Sequence, residues 1–264
     1  MKSLAEALRE TEYFLLDMDG TLYIGDELIG NMPQTLSFLR EKGKKIVYLT
    51  NNSSKDAEEY REKLRRLSLW GEGDIVYSSG EATAEYLLTN FPDKKVYLVG
   101  TDALKKEFSA RGVLLVDEDP DICVLAYDTT LTYRKLCDLT RFLFGGAYYI
   151  ATHPDVNCPA PGAFVPDVGS FIELIAASTG RRPDFIVGKP FTGMGENLER
   201  KFSAPKEKFM MAGDRMHTDI RFGNSCGFHS LLVLSGETTK ETMGNYPDRP
   251  EFVLNDFNEV VRYF

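Results

Sequence analysis

The sequence predicts an α/β fold: a doubly wound, parallel-sheet core interrupted by a smaller inserted α/β domain. Three observations predict it. Short apolar runs alternate with segments of helical period along almost all of the 264 residues. The residues best suited to chemistry fall into two blocks, one before Ser54 and one after Gly188. The long stretch between those blocks carries a strand–helix alternation of its own. Such alternation implies parallel sheets joined by right-handed crossovers. The insertion is expected to begin near residue 80 and end near residue 181, giving a core of 1–80 and 181–264 and an inserted domain of 81–180.

The elements follow in order. Tyr13-Phe14-Leu15-Leu16 reads as a buried strand. A helix is expected over 31–43, with Pro33 near its start, Leu36 and Leu39 on one face and Gly43 at its end. Ile46-Val47-Tyr48-Leu49 is the next strand. From Ser54 a helix puts Ala57, Tyr60, Leu64 and Leu67 on one face with charges opposite. Ile75-Val76-Tyr77 is a third strand. The middle segment predicts strands at 96–99, 113–116, 122–126 and 148–151, with helices near 102–110 and 132–144. After Gly169 a helix runs to about residue 178. Phe185-Ile186-Val187, 209–212 and 231–234 are the remaining strands.

Composition narrows the function classes. Apolar residues make up 43% and charged residues 27%, enough for sizeable cores in a globular chain. The net charge of −9 argues against a general electrostatic grip on nucleic acid or on an anionic membrane. An anionic substrate then needs local help from a cation, a lysine or backbone N–H groups. Cys123, Cys137, Cys158 and Cys226 form no Cys-x-x-Cys pair, so buried thiols in a reducing compartment are expected rather than a zinc site or disulfides. The first eleven residues carry charges throughout and have no signal-like apolar core. No apolar run approaches the ~20 residues of a membrane span. A cytoplasmic protein is expected.

Ligands of open parallel sheets bind beyond the carboxyl ends of the strands. Asp17 directly follows the first strand, Thr50 the second, and Asp214 the run 209–213. Any one of them alone reads equally as a turn or capping residue. Asp17 and Asp19 flank Met18 and are followed by Gly20-Thr21. Two carboxylates this close suit a hard divalent cation, and also a nucleophile paired with an acid/base. Gly20 permits a sharp backbone path. Asp214 and Asp219 add two carboxylates, and four of them would repel strongly without a cation. Mg²⁺ fits oxygen ligands and octahedral geometry, although acids also decorate helix N-termini for their own sake. Lys189, between Gly188 and Pro190, is suited to neutralise a phosphate, but an exposed loop lysine is the more common fate. Thr50-Asn51-Asn52-Ser53 can cradle phosphate at a helix start or simply cap it, with Ser53 and Asp56 at capping-box spacing.

Taken together, Asp17-Met18-Asp19-Gly20-Thr21, Thr50-Asn51-Asn52, Gly188-Lys189-Pro190 and Gly213-Asp214…Asp219 resemble, in order, the four motifs of the haloacid dehalogenase-like hydrolases. The long insertion looks like their type-II α/β cap. Tyr48-Leu49-Thr50-Asn51-Asn52-Ser53 and Ala151-Thr152-His153-Pro154-Asp155 resemble the NagD-like and p-nitrophenyl phosphatase branch. The likeness covers essentially the whole chain. It implies a HAD-like Rossmannoid core and a Mg²⁺-dependent phosphatase acting through an aspartyl-phosphate on Asp17. Asp19 would protonate the leaving alcohol and then take a proton from water. Thr50, Asn51 and Lys189 would hold the phosphoryl group. Asp17, the backbone carbonyl of Asp19 and Asp214 would bind Mg²⁺, with Asp219 positioning a metal-bound water. A carboxylate at Asp19 favours phosphoryl chemistry over dehalogenation. His153 and Asp155 match the cap loop that contacts the leaving group, although His153 also reads as an ordinary histidine, as do His217 and His229. Caps of this branch often mediate dimers, so a homodimer is implied as well.

A small phosphorylated metabolite, such as a sugar phosphate, is the expected substrate. The alternatives are a phosphotransferase or phosphomutase using the same phospho-aspartate, and a catalytically silent protein that binds a phosphorylated ligand. A nucleotide-binding dehydrogenase is disfavoured, because no Gly-x-Gly-x-x-Gly follows the first strand.

Overall fold

The computed structural model describes residues 2–55, 57–160 and 163–264. Asp56, the expected capping-box partner of Ser53, lies outside the described residues. The chain forms two compact units. The first comprises Met1–Thr50, Ala57–Tyr77 and Leu198–Phe264; the second comprises Asn51–Asp56 and Ser78–Asn197.

The first unit is built on a six-stranded sheet. Its order is Phe252–Leu254, His229–Val233, Phe209–Gly213, Tyr13–Leu16, Lys45–Thr50 and Ile75–Ser78. From Phe252–Leu254 through to Lys45–Thr50 neighbouring strands pair in parallel. Both faces are covered, which explains the unbroken apolar runs: all four residues of Tyr13–Leu16 and all five of Phe209–Gly213 are buried. Side chains alternate between faces, so Phe14 and Leu16, Ile46 and Tyr48, Met210 and Ala212, and Leu231 and Val233 share one core. Full burial of a side chain such as Phe14 or Leu16 contributes about 1.5–3 kcal/mol. The helix Met32–Glu41 covers this face with Met32, Leu36 and Leu39, and the helix Ala57–Arg66 with Tyr60 and Leu64. On the other face Leu232 packs with Met216 and Ile220. The order of the strands reverses beside Tyr13–Leu16: the chain winds outward through Lys45–Thr50 on one side and through Phe209–Gly213 on the other. In open sheets of this kind ligands bind at such a switch point, beyond the carboxyl ends of the strands.

The second unit has its own four-stranded parallel sheet, ordered Phe185–Ile186, Tyr148–Ala151, Ile122–Leu125 and Val96–Val99. Tyr97, Val99, Cys123, Leu125, Tyr149 and Ala151 form one face, packed against Leu139, Phe142 and Leu143 of the helix Tyr133–Phe144 and Ile172 and Ile175 of the helix Val168–Thr179. Because Phe185–Ile186 pairs with Tyr148–Ala151, the chain beyond residue 181 stays with this sheet.

Several expectations need correction. The apolar run 113–116 is not a strand: it meets Val96 only through an isolated bridge at Leu115. Two hydrogen bonds flank that bridge, Val96 N–H to Leu114 O and Val116 N–H to Val96 O, and the chain then turns away. The helix Ser79–Asn90 gave no sequence signal, because its buried face is made of small and polar residues such as Gly80, Ala82, Thr83 and Ala84 rather than a stripe of large apolar ones. Of the four cysteines, Cys123 and Cys226 are buried, but Cys158 is half-buried and Cys137 is exposed. No helix among the described residues is long and apolar enough to cross a membrane.

Candidate active site

In the first unit the chemistry collects at the switch point. Asp17 continues the ladder for one residue past Leu16, its N–H donating to Ala212 O at 3.0 Å. The chain then closes tightly on itself: Met18 O accepts from Thr21 and Leu22 N–H at 3.2 and 2.8 Å, and Gly20 N–H donates to Tyr23 O at 2.8 Å. Gly20 has φ +86°, and a Cβ there would lie 2.4 Å from Asp214 Oδ2. Only glycine allows both the left-handed turn and the close approach of the two motifs. Asp17 is half-buried and Asp19 exposed. Thr50 ends the neighbouring strand and is 9% exposed.

Asp214 follows the strand Phe209–Gly213. It is buried, and its Oδ2 accepts from Glu237 N–H at 2.6 Å. Asp219 lies on a single π-helical turn, Met216–Ile220, and accepts from Arg215 N–H at 3.1 Å. A side chain at Gly213 would collide with it, since a Cβ there falls 2.4 Å from Asp219 Cβ. Each of Asp17, Asp214 and Asp219 places a carboxylate oxygen within 4.8 Å of the others. Burial first, and the Asp219 charge second, push the Asp214 carboxyl up to about 6. Burial alone would lower the Arg215 guanidinium, but the carboxylates of Asp17, Glu237, Asp214 and Asp219 outweigh it and raise it, so this cation stays charged beside the cluster.

This donor set fits a hard cation. Three carboxylates converge, and the buried Asp214 Oδ1 has no hydrogen-bond partner among the described residues. Leaving such an oxygen unsatisfied costs about 1–3 kcal/mol, more when it is charged, and a divalent ion satisfies it.

The second unit holds the other sequence-selected residues. Lys189 is 2% exposed, so it is not the exposed loop lysine that lysines usually are. Its N–H donates to Asn51 Oδ1 and its carbonyl accepts from Asn51 Nδ2, each at 2.9 Å. Asn51 Nδ2 also reaches both oxygens of Asp155, at 3.2 and 3.1 Å. His153 is fully buried, with Nε2 2.9 Å from Asp167 Oδ1 and Nδ1 3.0 Å from Thr152 Oγ1. His217 is exposed and lies 3.7 Å from Glu237, while the buried His229 pairs through Nδ1 with Glu251 at 2.7 Å.

Sequence reasoning missed Gly236, Asp167 and Ser79. A Cβ on Gly236 would lie 2.1 Å from Asp214 Oδ2. It stands just past the strand His229–Val233, so the strand-end rule, applied once more, would have found it. Asp167 caps the helix Val168–Thr179, and nothing in its sequence context separates that role from its pairing with His153. Ser79 carries no signal of its own.

The chain is similar to known proteins along almost its whole length. Residues 14–114 match the family described as haloacid dehalogenase-like hydrolase, and residues 186–260 match a HAD-hydrolase-like family. An acid sugar phosphatase of Staphylococcus saprophyticus is 32% identical over 256 residues, covering 97% of this chain and 98% of that protein. The crystal structure of a 4-nitrophenylphosphatase from Thermotoga maritima superposes with a TM-score of 0.92 at 44% identity, covering 97% and 98% of the two chains. A glycerol phosphate phosphatase from Mycobacterium tuberculosis, solved in complex with calcium, gives a TM-score of 0.88 at 28% identity over 98% of this chain and 76% of that one. The chain belongs to the haloacid dehalogenase-like hydrolases and, within them, to the NagD-like and p-nitrophenyl phosphatase branch of phosphoric monoester hydrolases.

Proposed function

We propose that this protein is a Mg²⁺-dependent phosphatase that hydrolyses small phosphate monoesters, such as sugar phosphates, through an aspartyl-phosphate on Asp17. The observation that carries the reading is the convergence of Asp17, Asp214 and Asp219 at the switch point, with Asp214 Oδ1 buried and unsatisfied. The names of the relatives, acid sugar phosphatase and 4-nitrophenylphosphatase, support the substrate class.

In this reading an Asp17 carboxylate oxygen attacks phosphorus, and the bond from phosphorus to the leaving oxygen breaks. Asp19, exposed two residues on, gives its proton to the departing alkoxide. Asp19 then takes a proton from water as that water attacks phosphorus, and the bond to Asp17 breaks to release inorganic phosphate. Thr50 and Lys189 hold the phosphoryl group, and the lysine offsets its charge. Asp17, the backbone carbonyl of Asp19 and Asp214 would hold Mg²⁺, which when bound offsets the negative charge of the phosphoryl group and of the carboxylates. Asp219 and the charged Arg215 orient the groups around it. The second unit is proposed as the cap that selects the leaving group.

The test is phosphate release from p-nitrophenyl phosphate and a panel of sugar phosphates, with Mg²⁺ and with EDTA. Free phosphate is expected to accumulate with no second substrate and to stop with EDTA. Inactivity on every compound with Mg²⁺ present would overturn the reading.

A further inference from the structure

The Asn51 carboxamide spans one residue of a distant loop. Its Oδ1 accepts from Lys189 N–H and its Nδ2 donates to Lys189 O, both at 2.9 Å, so both peptide groups of Lys189 are gripped by a single rigid side chain. The remaining Nδ2 hydrogen points at Asp155, whose two oxygens lie 3.2 and 3.1 Å away. Both Nδ2 hydrogens are therefore taken by the protein itself. Gly188 lets the loop come this close: a Cβ there would lie 2.8 Å from Asn51 Oδ1 and 2.6 Å from Thr152 O.

A second layer braces the Asn51 backbone. Ser79 Oγ donates to Asn51 O and lies 3.3 Å from His153 Nδ1. His153 is anchored on its other nitrogen by Asp167, and Thr152 Oγ1 links His153 to Ser53 Oγ at 3.1 Å. Ser53, Ser79, Thr152 and His153 have no exposed surface, and Asp167 is 4% exposed. A lysine reaches its target through four flexible methylenes, so its aim depends on how firmly its backbone is held.

We propose that Asn51 is a positioning residue for Lys189 rather than a ligand of the phosphate, with Asp155 orienting its carboxamide and the buried His153–Asp167 pair bracing the same loop through Ser79. The inference rests on the phosphatase reading, in which Lys189 offsets phosphoryl charge. It assigns Asp155 and His153 to holding the loop, where sequence resemblance placed them against the leaving group.

The experiment is a double-mutant cycle on kcat/KM for p-nitrophenyl phosphate, using wild type, Asn51→Ala, Lys189→Ala and the double variant. Misplacing a catalytic group by about 1 Å costs on the order of 10²-fold, and Asn51→Ala is expected to approach that loss. Once the Lys189 side chain is gone there is nothing left to aim, so the double variant should match Lys189→Ala within threefold. Losses that multiply instead would overturn the inference, because Asn51 would then act on the substrate independently. An unaffected Lys189→Ala would overturn it too. If Asn51→Ala fails to fold, Asn51→Asp keeps the size but sets a carboxylate against Asp155. It also sets an oxygen against Lys189 O, so its loss should disappear on the Lys189→Ala background, and a loss that persists there counts against the proposal. Wild-type turnover tests the phosphatase reading separately. The same cycle read by calorimetric titration with inorganic phosphate needs no turnover, and there too the coupling must appear.

Discussion

Two glycines from opposite ends of the chain confine the Asp214 carboxylate, and substituting them separates backbone strain from displacement of the site. In Gly236→Ala the new methyl would lie 2.1 Å from Asp214 Oδ2, whereas ordinary contact begins at 3.4 Å, so the carboxylate must retreat by about 1.3 Å. Gly236 shows no left-handed φ, so the cost there is steric. The retreat also endangers the 2.6 Å hydrogen bond from Glu237 N–H. A shift of this size in a site that works by positioning costs about 10²-fold in rate, and disturbed metal surroundings weaken metal affinity by about 10–100-fold. Gly20→Ala combines a 2.4 Å clash with the same carboxylate and a φ of +86°. It should lose similar activity and, in addition, about 1–2 kcal/mol of stability from the left-handed backbone. Gly25, in the turn after the strand Tyr23–Ile24, has φ +62° but nothing within 4 Å of a Cβ. Gly25→Ala should lose the same stability and keep wild-type turnover. The assay is p-nitrophenyl phosphate hydrolysis titrated with Mg²⁺, paired with urea unfolding. Gly236→Ala within threefold of wild type in both rate and metal requirement would refute the reasoning, as would Gly25→Ala losing as much activity as Gly236→Ala.

Asp17→Asn removes the proposed nucleophile and should reduce phosphate release to background, with near-native turnover counting against the mechanism. Asp19→Ala should cost about 10²–10⁴-fold in kcat with an unchanged melting curve, because the proposed acid/base is an exposed side chain; an unfolded variant would show the residue to be structural. Arg40 grips the buried Asp74 with two hydrogen bonds, Nε to Oδ1 at 3.1 Å and Nη2 to Oδ2 at 2.6 Å, and Gly71 N–H adds a third at 2.9 Å. Asp74→Ala should therefore destabilise by about 3 kcal/mol in urea unfolding, and a change below about 1 kcal/mol would show the pair to be dispensable. Burial pushes the Cys123 thiol up to about 12, so native protein treated with a thiol reagent near pH 8 should be labelled first at the exposed Cys137, with Cys123 reacting only after unfolding. Mass spectrometry of the labelled peptides reads the order.

Much of the molecule was legible from local pattern. Tyr13–Leu16, Val96–Val99 and Tyr148–Ala151 are strands where the apolar runs put them, and the helices near residues 32, 102 and 133 begin within a residue of their expected starts. This works because burial on both faces makes a parallel strand an unbroken apolar run, and capping leaves its own mark. The run 113–116 fails for the same reason that the others succeed: an apolar run becomes a strand only if a neighbour stays in register, and here contact lasts for one residue.

The sequence by itself determined the βα alternation, the location of Asp17, Thr50 and Asp214 at strand ends, and the acidic character of the site. Those features depend on residues a few positions apart. Only the tertiary structure decided which strands lie beside the switch point, that Gly20 and Gly236 close on one carboxylate, that Lys189 is buried, and that Asn51 spends its carboxamide on the Lys189 backbone. Asn51 and Lys189 are 138 residues apart, and Gly20 meets the side chain of Asp214 across most of the chain. Hydrogen bonds and close packing between such positions leave no periodic trace in sequence, because their partners are chosen by how the strands are ordered and not by what stands next to them.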